Sequence, residues 1–206
     1  MDFVDIDAPP LLARSGAELR PVAQRFARAY RALPLQLTHR STDLITEGTT
    51  GRVHAGGAFE DEAIHTELAL ALADLGPALR PRFEWYWCRG AFFHTDAHYA
   101  DVMFGVWAVA GPPSDIVFAR SGQRVEVSAG TIVVFDPFEV HGVLRRGAER
   151  YEAVDYADHT AVSVFAGFEL AIDAVVRACF GISSAAPDAR ILSSTTRVSA
   201  ETGRLD

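Results

Sequence analysis

The sequence predicts a mainly β protein: an antiparallel jelly roll or barrel with a few helices packed against it. Between Phe83 and Phe165 the chain reads as seven short runs rich in Val, Phe, Trp and Ile. Turn-forming groups separate them, notably Gly111-Pro112-Pro113-Ser114-Asp115, Ser121-Gly122 and Ala129-Gly130. Apolar residues at helical spacing occur only before and after this region. Short strands at close spacing bury one another by pairing into packed antiparallel sheets or a closed barrel.

Each element follows in order. Ser15-Gly16-Ala17-Glu18 has the spacing of a capping box, and Val22, Phe26, Ala29, Tyr30 and Leu33 recur at helical intervals, which predicts a helix over Leu19 to Leu33. Leu35 to Phe59 reads as short extended pieces broken by Gly and Thr. A second helix is expected from about Glu60 to Leu75, packed by Ile64, Leu68, Leu72 and Leu75 and stopped by Gly76-Pro77. The strands expected are Phe83–Arg89, Tyr99–Val109, Ile116–Arg120, Arg124–Val127, Thr131–Phe135, His141–Arg145 and Thr160–Phe165. Leu170 to Phe180 reads as a last helix, and Ser183 to Asp206 as a polar, mobile tail. One domain over 1–182 is the expectation, with a support region at 1–80, a β core at 81–168, a helix at 169–182 and a flexible 183–206.

Composition narrows the function classes. The 206 residues carry 19 Lys plus Arg against 27 Asp plus Glu, a net charge of -8. With no basic run, the chain offers no electrostatic footprint for nucleic acid or an anionic membrane. No residue is lysine, so any buried anion must be held by Arg, His, hydroxyls or backbone amides. Cys88 and Cys179 stand far apart and in no metal-type spacing, which suits a reducing, cytoplasmic setting. The opening MDFVDIDAPP is acidic where a signal peptide would be basic, and no apolar run approaches a membrane span.

The chemistry concentrates around Phe92-Phe93-His94-Thr95-Asp96-Ala97-His98-Tyr99. Residues i and i+2 of an extended segment point to the same side, so His94 and Asp96 can share one. His141 enters an apolar strand 45 positions after Asp96 and supplies a third ligand. Two imidazoles and a carboxylate on one face of an ion leave the opposite positions open, the arrangement used by non-heme Fe(II) oxygenases. His98 reads as an outer or surface group, because alternate residues on a strand diverge by roughly 7 Å per pair. On the strand before the motif, alternation sends one of the sets around Trp85, Tyr86, Trp87 and Arg89 inward, and Tyr86 and Arg89 are candidate substrate contacts. The other histidines, His39, His54, His65 and His159, and the two cysteines read as structural or exposed.

From about Phe83 to Phe168 the chain resembles the Fe(II)/2-oxoglutarate-dependent oxygenase superfamily, whose core is a double-stranded β-helix. The resemblance rests on His94-Thr95-Asp96 with the distal His141, on YWCRGAFF before the first ligand and on GTIVVFDPFEVHG around the last. It implies Fe(II) at the triad, 2-oxoglutarate as co-substrate, O2 as oxidant and a basic residue after the distal His for the far carboxylate. Arg150, nine positions after His141, matches that role, with Arg145 and Arg146 as alternatives. Many members carry a hydroxyl residue two positions after that base, whereas Glu152 stands there here.

Two other classes compete. A cupin-type metal dioxygenase would share the barrel, although its usual pattern is His-x-His with a following Glu. A non-catalytic jelly-roll binding module would leave the triad incidental. The expected substrate is a small polar metabolite, and the sequence is silent on oligomeric state.

Overall fold

The computed structural model describes residues 53–96, 98–99, 102–119, 122–157, 162–182 and 198–204, together with the backbone of four short N-terminal strand segments. Those four are β1 (Asp2–Phe3), β2 (Ala13–Arg14), β3 (Glu18–Leu19) and β4 (Arg28–Arg31). Next come β5 (Val53–Glu60), α1 (Glu62–Leu72), a 3-10 turn (Ala73–Ala78) and β6 (Leu79–Cys88). The remaining strands are β7 (Ala91–His94), β8 (Val102–Ala110), β9 (Ser114–Phe118), β10 (Arg124–Val127), β11 (Thr131–Phe135), β12 (His141–Arg145) and β13 (Ser163–Ala171). A 3-10 turn (Ala153–Tyr156) lies between the last two, and α2 (Ala174–Phe180) follows β13.

The strands form a seven-stranded sheet, β1-β4-β11-β8-β13-β6-β5, and a four-stranded sheet, β10-β9-β12-β7, with β2 and β3 paired as a separate two-stranded ladder. Every pairing is antiparallel, and the two sheets face each other as in a jelly roll, as the sequence predicts. Phe104, Ile116, Phe118, Val133, Phe135 and Phe165 fill the space between them. On its other face the large sheet packs Phe83, Trp85, Trp87 and Trp107 against Ile64, Leu68 and Leu72 of α1. A sheet covered on both faces needs apolar side chains in both directions, so β8 reads as the almost unbroken run VMFGVWAVA. At the Ala129-Gly130 turn Gly130 adopts a φ of 91°, a conformation glycine takes without steric cost, and β11 starts there.

α1 begins where Asp61 accepts a hydrogen bond from the Ile64 amide at 3.0 Å. Gly76-Pro77 stands inside the 3-10 turn that ends this helical stretch. α2 starts later than expected: Leu170 is fully buried and stays in the ladder opposite Met103 and Leu79, and Asp173 caps the helix through the Val176 amide.

Two expectations need correction. The helix over Leu19 to Leu33 is contradicted at Arg28–Arg31, which form β4 and pair with β11 through Tyr30 opposite Ile132. Pairing with a sheet edge satisfies the backbone of those residues better than a lone helical turn would. The helix is contradicted also at Leu19, which lies in β3 and pairs with Ala13 of β2; the rest of that segment, and the extended pieces up to 52, lie outside the described residues. The tail expected free from Ser183 is docked over 198–204: the Phe93 amide donates to Ala200 O and the Tyr151 amide to Glu201 O, at 2.9 and 3.1 Å. Among the described residues no helix is long and apolar enough to cross a membrane.

Candidate metal centre

β7 and β12 lie side by side in the small sheet, with His94 directly opposite His141. Adjacent antiparallel partners carry their side chains on one face, so two residues 47 apart in sequence meet across one ladder step. Their rings stand 4.6 Å apart, centroid to centroid. Asp96 lies just beyond β7, and its amide donates to Pro137 O at 2.7 Å, which ties it to the loop that delivers β12. That loop is itself fixed by Asp136, whose carboxylate accepts from the Phe138 amide at 3.0 Å.

The three side chains converge. Asp96 places one carboxylate oxygen 3.5 Å from His94 Nε2 and the other 3.4 Å from His141 Nε2. One potential ligand atom from each residue lies within 4.8 Å of the others. Each histidine is aimed the same way: Nδ1 of His94 sits 2.6 Å from Phe92 O, and Nδ1 of His141 sits 2.8 Å from Glu139 O. A ring nitrogen facing a carbonyl must carry the proton and donate it, which leaves both Nε2 lone pairs turned toward Asp96. Burial, followed by the neighbouring His141, lowers the His94 pKa and keeps that ring neutral at physiological pH. Burial on its own would raise the Asp96 carboxyl, but the two imidazoles beside it outweigh that and lower its pKa. Two imidazoles and a carboxylate are a donor set that suits a divalent transition metal, and the residues present fit Fe(II).

A cavity of about 130 Å3 opens at the triad. Phe104, Val106, Ile116, Phe135, Val143 and Phe165 line it, so most of its wall is apolar. Tyr86, Cys88, His98 and Tyr99 are its remaining polar-tipped groups beside the triad. Alternation along β6 is thereby settled: Glu84, Tyr86 and Cys88 share the inner face, while Phe83, Trp85 and Trp87 pack outward against α1. His98 is exposed, its ring 4.1 Å from that of Tyr99, and it is not part of the triad cluster.

Among the described residues no arginine lines this cavity. Arg150, the residue matched to the 2-oxoglutarate carboxylate, lies on the surface, ion-paired with Glu152 at 2.6 Å. The reason is local: β12 ends at Arg145 and the chain turns, the Ala148 amide donating to Arg145 O at 3.0 Å, so Arg150 is on no inward-facing strand. Arg145 is exposed over the Tyr156 ring, and Arg146 pairs with Glu126 and Asp115. Arg89 is half-buried and lines, with Arg145, Tyr156 and Ser163, a separate cavity of about 290 Å3. That cavity shares only the Cys88 and Val143 walls with the metal cavity.

Sequence spacing missed Tyr99, Glu84 and the two carbonyls that orient the histidines. The carbonyls leave no mark in sequence, because any residue supplies one. For Tyr99 a signal existed: it stands three residues after Asp96, and its amide closes a turn on Asp96 O at 2.9 Å.

No family model matches the chain, and no curated protein matches it. Among solved structures it is similar to a prolyl-4-hydroxylase from Pseudomonas putida, at 16% identity over 71% of this chain and 93% of that one, with a TM-score of 0.40. It is also similar to an oxidoreductase of the 2OG-Fe(II) oxygenase family from Burkholderia pseudomallei, at 13% identity over 70% and 84%, TM-score 0.44. A cupin 2 domain-containing protein from Halorhodospira halophila matches at 12% identity over 71% and 78%, TM-score 0.34. What the centre can do follows from its own residues.

Proposed function

We propose that this chain is a mononuclear non-heme Fe(II) oxygenase acting on a small, largely apolar substrate. The observation that carries it is the convergence of His94, Asp96 and His141 within 4.8 Å at an apolar cavity, with both histidines held by backbone carbonyls. Fe(II) bound there would supply the oxygen activation that no side chain can perform. The protein does the rest. Asp96 would balance part of the ion's charge, and the carbonyl-held imidazoles of His94 and His141 would supply two more ligands. The aromatic and aliphatic walls keep water away from the open side and hold a substrate against it. An apolar wall also replaces the expectation of a polar metabolite with an apolar one.

The resemblance assigns 2-oxoglutarate as the source of electrons, and that assignment is part of the proposal. The described cavity does not fit its far carboxylate, since no guanidinium lines it. If 2-oxoglutarate is used, a group other than Arg145, Arg146 or Arg150 as placed here must neutralise that end. The same observation favours a second reading, a dioxygenase that places both oxygen atoms in its own substrate and needs no co-substrate.

Anaerobic addition of Fe(II), then of 2-oxoglutarate, tests both. One equivalent of Fe(II) should bind, and His141→Ala should bind none; retained stoichiometric iron in that variant overturns the centre. A weak visible charge-transfer band on adding 2-oxoglutarate, with succinate formed in air, selects the first reading. Oxygen uptake without either selects the second.

A further inference from the structure

Beside the triad, two phenols and a carboxylate form a closed network. Tyr86 donates to Glu84 Oε2 at 2.7 Å, the hydroxyls of Tyr86 and Tyr99 lie 2.5 Å apart, and Tyr99 donates toward the same carboxylate oxygen at 3.3 Å. Both phenols line the metal cavity. Burial and, next, the bond to Tyr99 push Tyr86 well above the ordinary phenol range. Each phenol has one proton, and both are spent inside the network, that of Tyr86 on Glu84 and that of Tyr99 between Tyr86 and Glu84. What the network turns toward a ligand is oxygen lone pairs backed by a carboxylate.

The field around the cavity has the same sign. Asp96 is in the wall and Glu84 stands behind Tyr86 and Tyr99, no arginine lines the wall among the described residues, and the chain has no lysine. In the metal-free protein an anion placed here meets two carboxylates, with no arginine or lysine among the described lining residues to offset them. A cation meets a favourable potential in a largely desolvated site, where such contacts are strongest. The walls set the rest of the ligand: an apolar cavity of about 150 Å3 takes up benzene, and this one measures about 130 Å3.

We propose that Glu84, Tyr86 and Tyr99 are the recognition end of the cavity and read the ammonium group of a small aromatic or aliphatic amine, whose apolar body lies against Phe104 and Phe165. This deepens the oxygenase reading, on which it rests for the reaction but not for the binding. Glu84 and the tyrosines are specificity residues here; the chemistry stays at the triad.

Binding of three probes with one ring and different heads tests it: benzylammonium, benzyl alcohol and benzoate, each titrated calorimetrically into metal-free and Zn(II)-loaded protein. Benzylammonium should bind at least tenfold more tightly than benzoate in the metal-free protein, where a carboxylate cannot gain by ligating the ion. Glu84→Gln should lower that preference at least tenfold while benzyl alcohol affinity stays within about twofold. Should Glu84→Gln not fold, Tyr99→Phe provides the same reading. Benzoate binding as well as benzylammonium, an unchanged ratio in the folded variant, or no measurable benzylammonium binding overturns the proposal. Zinc titration of the same samples separates the two readings. Lost metal binding with a kept amine preference sinks the metal centre alone, and the reverse sinks only the amine site.

Discussion

Gly167 gives the most direct physical check on how the cavity is built. It sits in β13 opposite Glu84 of β6, and an added Cβ would stand 2.5 Å from Tyr86 Cε2 and 3.1 Å from Phe104 Cζ. Carbon atoms rest in contact at roughly 3.5–4.0 Å, so Gly167→Ala forces the Tyr86 ring back by about 1 Å. The backbone there is ordinary strand, and alanine itself fits it. The cost is therefore that of overpacking, ~1–3 kcal/mol. For a chain of this size each kcal/mol lowers the melting temperature by roughly 2–4 °C, so the drop should fall between roughly 2 and 12 °C. Differential scanning calorimetry reads it directly. Moving Tyr86 also breaks its alignment with Glu84 and Tyr99, so the preference for benzylammonium should shrink while zinc still binds at one equivalent. The double variant Gly167→Ala, Tyr86→Ala should lose less stability than the two single changes together, because removing the ring removes the clash. A Gly167→Ala protein that melts within 1 °C of the parent and keeps its amine preference would refute the packing of Tyr86 over Gly167.

Three further outcomes are expected. Cys88 is buried and its thiol is pushed up to about 12 by burial, so at pH 8 only about one molecule in ten thousand is thiolate; a maleimide should label the half-buried Cys179 first, and equal labelling rates would contradict the burial of Cys88. Asp115, 1% exposed, binds Arg124 at 2.5 Å and the Gly147 amide at 2.8 Å, so Asp115→Ala should cost about 3 kcal/mol by urea unfolding, the low end for a buried pair because both of its arginine partners keep contact with solvent. Asp61→Ala should remove the α1 cap and cost ~0.5–2 kcal/mol, with metal affinity unchanged; a change in zinc affinity would mean that α1 positions the centre.

The strands were legible because burial on one or two faces writes itself into alternation or continuous apolar runs. Arg124–Val127, Thr131–Phe135 and His141–Arg145 occur with the bounds the sequence predicts. Arg28–Arg31 was not legible, since its helical spacing is local while its partner, β11, lies a hundred residues away. The triad could be read because strand geometry alone faces His94 and Asp96 one way, and an apolar strand brings in His141. Arg150 could not be placed the same way. A count of residues after a strand says nothing once the strand ends, and here it ends at Arg145. The Glu84–Tyr86–Tyr99 network was hidden for a third reason. Its members come from a strand and a turn that the fold brings together, and phenols in a β-rich sequence look like core.

The docking of residues 198–204 links the candidate metal centre to a part of the chain a hundred residues from His94. β7 is the edge of the small sheet, and the Phe93 amide, one residue before His94, is held by Ala200 O while Gly203 packs against the Phe93 ring. An edge strand left open frays and invites foreign pairing, and here the frayed residue would be a ligand. If an ion binds at the triad and the docked segment steadies His94, whatever tightens the ion's hold on His94 must favour the docked segment, and whatever peels that segment away must loosen the ion by the same free energy. On the proposed reading the segment would act as a clasp whose closure is thermodynamically indistinguishable from part of the metal affinity.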